Sequence, residues 1–224
     1  MPVGNDVVDL RDPDNQPSAI HPRFDERVFR DRELRRLDEL DAPAAHRLRW
    51  TMWAAKESAY KYIAQRKPGT PFRPGQMTVH PAAAPPGRRA ARVEWAGGEV
   101  EVRIDSRPDR VHAATVADDG SAPICALRRI AGATSPEADA PFPEADPHAL
   151  SAATRVLAAR TVARLLGLRA PEIRIAAPPA GARPVAPRAL RAGETLPVEL
   201  SLSHDGAWIA CAVVSLGRAP AGDR

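Results

Sequence analysis

Residues 53–61 read WAAKESAYK, inside a segment from about His46 to Gln65 that the sequence predicts as a helix stopped by Pro68 and Gly69. On a helix Glu57 and Lys61 are four apart and share one face, with Trp53 one turn earlier to pack beneath them. At an arbitrary surface such a pair is worth only a few tenths of a kcal/mol. Composition sets this one apart. Of the 32 Lys and Arg, 29 are Arg, and two of the three lysines, Lys56 and Lys61, flank one glutamate. That points to a compact, movable ammonium being preferred there to a planar guanidinium.

Working outward, residues 4–10 read GNDVVDL and predict a short buried strand from Val3 to Leu10. Gly4 allows an unusual backbone angle. Asp6 is costly among Val7, Val8 and Leu10 unless a cation or hydrogen bonds compensate it. Strand alternation puts Asp6 and Val8 on one face and Val7 and Asp9 on the other, so Asp9 is not expected to share a ligand with Asp6. A charged segment from Phe24 to Leu40 has helical spacing, and strands are expected at Met77 to His80, Arg92 to Trp95, Glu99 to Ile104 and Arg110 to Ala117.

Residues 131–148 are acidic, Pro-rich and aperiodic, which reads as a linker between a lobe of residues 1–130 and a lobe of residues 149–224. The second lobe repeats the plan, with a helix from Ala149 to Leu166, a strand from Glu172 to Ile175 and a loop containing Gly181-Ala182-Arg183-Pro184. A final hairpin pairs Val198 to His204 with Ala207 to Val214 across Asp205-Gly206, a dipeptide suited to a type I′ turn. The fold class is therefore α+β, two pseudo-repeated lobes that each pack a long helix on a small antiparallel sheet.

Length and composition narrow the function classes. The 224 residues are 44% hydrophobic and 27% charged, enough for a real core. No apolar stretch is long enough for a membrane span and the first residues lack a signal-peptide pattern, so a cytoplasmic protein with no membrane partner is expected. Cys125 and Cys211 lie in apolar stretches without metal spacing and read as buried free thiols. Net charge is +4, with residues 151–224 the basic part at ten basic and five acidic side chains. Trp53, Tyr60 and Tyr62 on a helix and Trp208 on a hairpin do not form the interleaved basic and aromatic strip of a nucleic-acid binder.

Taken together, GNDVVDL, WAAKESAYK and LSLSHDGAWIACAV (residues 200–213) resemble the GxDxx strand, WxxKESxxK helix and SxSH hairpin of the 4'-phosphopantetheinyl transferase superfamily. The motif order looks like a circularly permuted surfactin-type enzyme, or like the short holo-acyl-carrier-protein synthase type extended to two lobes. Val8 stands where the surfactin type carries a further carboxylate.

The resemblance implies a transferase that moves the phosphopantetheine arm of coenzyme A to a serine of an apo carrier protein and releases 3',5'-ADP. It implies Mg²⁺ held by Asp6 and Glu57, with Glu57 and Lys61 catalytic. Lys56, Arg160, Arg183, Ser203 and His204 would contact coenzyme A. The partner is an acidic acyl or peptidyl carrier protein of fatty acid or secondary metabolite biosynthesis, and two lobes in one chain suggest a monomer. The alternative is a coenzyme A or carrier-protein binding module without transfer activity.

Overall fold

The computed structural model describes residues 1–82, 89–116, 120–130, 147–176 and 186–217. Its organising element is the long helix α3 (Ala42–Arg66), preceded by β1 (Asn5–Asp9), α1 (Phe24–Val28) and α2 (Asp31–Asp38). The Asp41 side chain accepts a hydrogen bond from Ala44 N, and Pro43 sits in the first turn, so α3 starts before His46. Gly69, at φ 86°, follows its end.

Phe24 to Leu40 is two helices, because the backbone is extended at Phe29 and Arg30. Glu33 explains the break. Its carboxylate accepts Arg30 N at 2.9 Å, Lys56 Nζ at 2.7 Å and Val79 N at 2.8 Å, tying α2 to α3 and to the sheet below. A tertiary anchor of this kind outweighs helical spacing.

Strands β2 (Thr78–Ala82), β3 (Arg89–Trp95), β4 (Gly98–Ser106) and β5 (Arg110–Thr115) complete an antiparallel sheet of order β1-β5-β4-β3-β2. Its core face buries Val8, Val79, Val93, Val102 and Val111 against Ala54, Ala55 and Ala59 of α3. Alanines there let the helix lie close. The closest approach is at Gly4, where a Cβ would meet the backbone of Ser58. Gly4 is thus required for space and not for a positive φ.

The chain continues through β6 (Ile124–Arg129), α4 (Pro147–Leu166), β7 (Ile173–Ala176), β8 (Arg188–Arg191), β9 (Glu194–Thr195), β10 (Val198–Asp205) and β11 (Trp208–Ser215). Two three-stranded sheets form, β10-β11-β6 and β7-β8-β9, and Ala158, Val162, Leu200, Cys211 and Val213 share a second core with Ile173 and Ile175. Gly206, at φ 50°, makes the hairpin turn between β10 and β11. Strand β6 was not legible in the sequence. It precedes the acidic stretch, yet it pairs with β11 of the second lobe. Residues 131–146 of the expected linker lie outside the described residues, whereas Pro147 and His148 already belong to α4. Cys211 is buried, but Cys125 is exposed at the β6 edge, contrary to the sequence reading. No helix among the described residues is long and apolar enough to cross a membrane.

Candidate active site

Strand β1, helix α3, helix α4 and strand β10 meet at a cavity of about 280 Å³ lined by Asp6, Glu57, Lys61, Ser151, Thr154, Leu202, Ser203 and His204. The residues come from the start, middle and end of the chain. Asp6 is nearly buried and is compensated twice, by Lys61 Nζ at 2.8 Å and by the Ser203 hydroxyl at 2.7 Å, both donating to Oδ1. Lys61 also donates to the Asn5 carbonyl at 3.0 Å and stands 3.2 Å from Glu57 Oε2. One ammonium thus fastens strand and helix through three oxygens.

This crowding sets the charges. Burial opposes the Lys61 charge, but Asp6 and Glu57 beside it outweigh that and raise its pKa, so it stays an ammonium. Burial first, and then the Asp6 carboxylate, push the Glu57 pKa above its ordinary value against the pull of Lys61. His204 is held below the usual imidazole range by its partial burial and by the charges of Lys61 and Arg155. It is neutral near pH 7.

Asp9 stays apart from this group, as alternation predicts. Its carboxylate accepts Arg11 N and Ala207 N and so seats the β10–β11 turn. Val8 lies in the core of the first lobe and offers no ligand. Among the described residues no group of three His, Cys, Asp or Glu side chains could hold a metal ion. The Asp6 and Glu57 carboxyl groups line the same cavity and both lie against Lys61 Nζ, at 2.8 and 3.2 Å. Two crowded hard oxygen donors with room for water and phosphate oxygens fit Mg²⁺, which keeps much of its hydration.

Other expected contacts fall elsewhere. Lys56 is fully buried on another side of α3, with Nζ donating to Glu33, to the Val28 carbonyl at 2.7 Å and to the Pro74 carbonyl at 3.1 Å. It is a core ion pair with no hydrogen left for a ligand. Arg160 is exposed, nine residues and so about half a helical rotation from Ser151, which does line the cavity. Arg183 lies outside the described residues. Trp53 joins a row of rings with Phe24 and Phe72, at centroid distances of 5.4 and 5.7 Å, and does not line the cavity.

The family model of the 4'-phosphopantetheinyl transferase superfamily (ACPS) matches residues 2–116, the stretch that supplies Asp6, Glu57 and Lys61. The chain belongs to that superfamily. It is also similar to a solved apo-ACPS structure from Chronobacterium ammoiniagenes, with 25% identity and a TM-score of 0.39 over 50% of this chain and 92% of that one. No curated protein matches it.

The superfamily match ends before β6, so the second lobe's part in the cavity rests on the structure. Sequence reasoning missed Ser151 and Thr154, which line the cavity, and Arg155, whose charge reaches His204. A signal existed. Leu150, Thr154, Ala158 and Val162 are the buried stripe of α4, and a residue two places from Ala158 and Val162 points away from them.

Proposed function

We propose that the protein transfers the 4'-phosphopantetheine arm of coenzyme A to a serine hydroxyl of an apo carrier protein and releases 3',5'-ADP. The observation that carries this reading is the shared cavity. Asp6, Glu57 and Lys61, on β1 and α3 within the residues that the family model matches, line one space of about 280 Å³ with His204 of β10.

In this reading Glu57 accepts the serine proton while the serine oxygen forms a bond to the phosphorus that carries pantetheine. The bridging P–O bond breaks and the electron pair leaves with 3',5'-ADP. Glu57 lines the cavity beside Lys61, where a serine hydroxyl brought to the site can meet its carboxylate. Lys61, held protonated between Asp6 and Glu57, supplies positive charge where the departing phosphate gains negative charge. Mg²⁺ held by Asp6 and Glu57 would supply neutralisation of the pyrophosphate charge.

His204, neutral near pH 7 in the free protein, offers an N–H to a coenzyme A phosphate, and Arg155 takes the role that the resemblance gave to Arg160. Arg183 keeps its proposed phosphate contact from the resemblance alone. An acidic acyl or peptidyl carrier suits the net charge of +4, and a monomer suits a cavity completed within one chain.

The test mixes the protein with coenzyme A, Mg²⁺ and apo carriers of the fatty acid, polyketide and nonribosomal peptide types. One phosphopantetheine gained by the carrier, with equimolar 3',5'-ADP, supports transfer. Background levels with every carrier overturn it, and coenzyme A binding without transfer would favour the binding module.

A further inference from the structure

Strand β1 is the edge of its sheet. Backbone pairing to β5 satisfies one side of it, and the other side faces β10, which belongs to a different sheet. The junction is made by side chains. Ser201 Oγ accepts Asn5 N at 3.0 Å, Ser203 Oγ accepts Val7 N at 3.2 Å and Asp205 Oδ2 accepts Asp9 N at 2.7 Å. Alternate residues of β10 thus meet alternate amides of β1 at a constant offset of 196 residues. Without these oxygens three amides of a buried strand would have no acceptor.

The middle contact differs from its neighbours. A hydroxyl has a single proton, and Ser203 gives it to Asp6 Oδ1 at 2.7 Å while its oxygen takes Val7 N. The same Asp6 oxygen takes Lys61 Nζ at 2.8 Å. Ser203 is buried, with 7% of its surface exposed. We infer that Ser203 is a positioning residue, which sets the Asp6 carboxylate against Lys61 through a second-lobe hydroxyl, and not a coenzyme A contact. Ser201 and Asp205 join the lobes on either side of it.

This inference rests on the transfer reading and deepens it. In that reading Asp6 must be held still while the cavity opens to ligand. A hydroxyl with both its donor and acceptor capacity engaged does that without competing for phosphate.

The experiment compares wild type, Ser203→Ala, Ser203→Thr and Ser201→Ala by transfer kinetics, by calorimetric affinity for coenzyme A and by amide exchange at Asn5 and Val7. Ser203→Ala should lower kcat by about 10- to 100-fold, as loss of a ligand-orienting partner does. Its affinity for coenzyme A should stay within about twofold of wild type, and exchange should speed up at Val7 but not at Asn5. Ser203→Thr, which keeps the hydroxyl, should restore most of kcat. Ser201→Ala should show the reverse exchange pattern with kcat retained.

A tenfold weaker affinity for coenzyme A in Ser203→Ala at unchanged kcat would overturn the inference. So would unchanged protection of Val7. If wild type transfers to no carrier, the transfer reading fails by itself, and exchange at Val7 with coenzyme A affinity still decides whether Ser203 holds the strand or the ligand.

Discussion

Gly4 and Ser58 are in backbone contact: a Cβ added at residue 4 would overlap the Ser58 carbonyl oxygen and stand 2.9 Å from Tyr62 N. The Ser58 hydroxyl also donates to the Gly4 carbonyl at 3.1 Å. Gly4 therefore sets the distance between β1 and α3, the two elements that bring Asp6 to Glu57. Gly4→Ala should push them apart and cost roughly 3 kcal/mol, at the upper end for overpacking against a rigid neighbour. Denaturant unfolding checks this, and an unchanged midpoint would refute the contact.

Glu57→Gln removes the base and one of two carboxylates while keeping shape. Transfer should fall by about 100-fold or more, with the circular dichroism spectrum and melting temperature close to wild type. Lys61→Arg keeps charge but places a planar fork where one nitrogen now serves Asn5, Asp6 and Glu57. It should lose about tenfold or more in kcat, measured with saturating coenzyme A.

Lys56 lies next to Glu57 in sequence and should act on stability alone. Lys56→Ala strands the Glu33 carboxylate, whose side chain is 1% exposed, and should cost about 3–5 kcal/mol. Lys56→Met with Glu33→Gln, which keeps a side-chain oxygen for Val79 N, should recover part of that loss. Calorimetry on the folded double variant should find coenzyme A affinity unchanged; a large loss would return Lys56 to the ligand.

The pH prediction concerns His204. Its pKa is lowered in the free protein by burial and by Lys61 and Arg155, and a phosphate beside it would raise it again. Binding of coenzyme A near pH 7 should then take up protons, and affinity should increase as the pH falls from 7.5 toward 6. Titrations in buffers of different ionisation enthalpy measure the uptake directly. His204→Gln should abolish it, and zero uptake in wild type would remove the imidazole from the phosphates.

Much of the site was legible because local rules decide it. The spacing of Glu57 and Lys61 fixes a common face, and strand alternation separates Asp6 from Asp9. The same helical rule turns Lys56 about 100° from Glu57, away from the coenzyme A contact that the resemblance implied for it. Arg160 was displaced likewise. Other features depend on distant partners: the break at Phe29 and Arg30 follows from Glu33 reaching Lys56 and Val79, and β6 becomes a strand through an edge of β11. Nothing within those segments announces either one.

The placement of β6 bears on how the polypeptide could be divided. A cut anywhere in residues 131–146 would leave the N-terminal piece carrying a strand that closes the sheet of the C-terminal piece, from Trp208 opposite Arg129 to Val213 opposite Ile124. Each piece would then hold what the other lacks. Such halves are suited to a complementation pair that regains function only when both are expressed together.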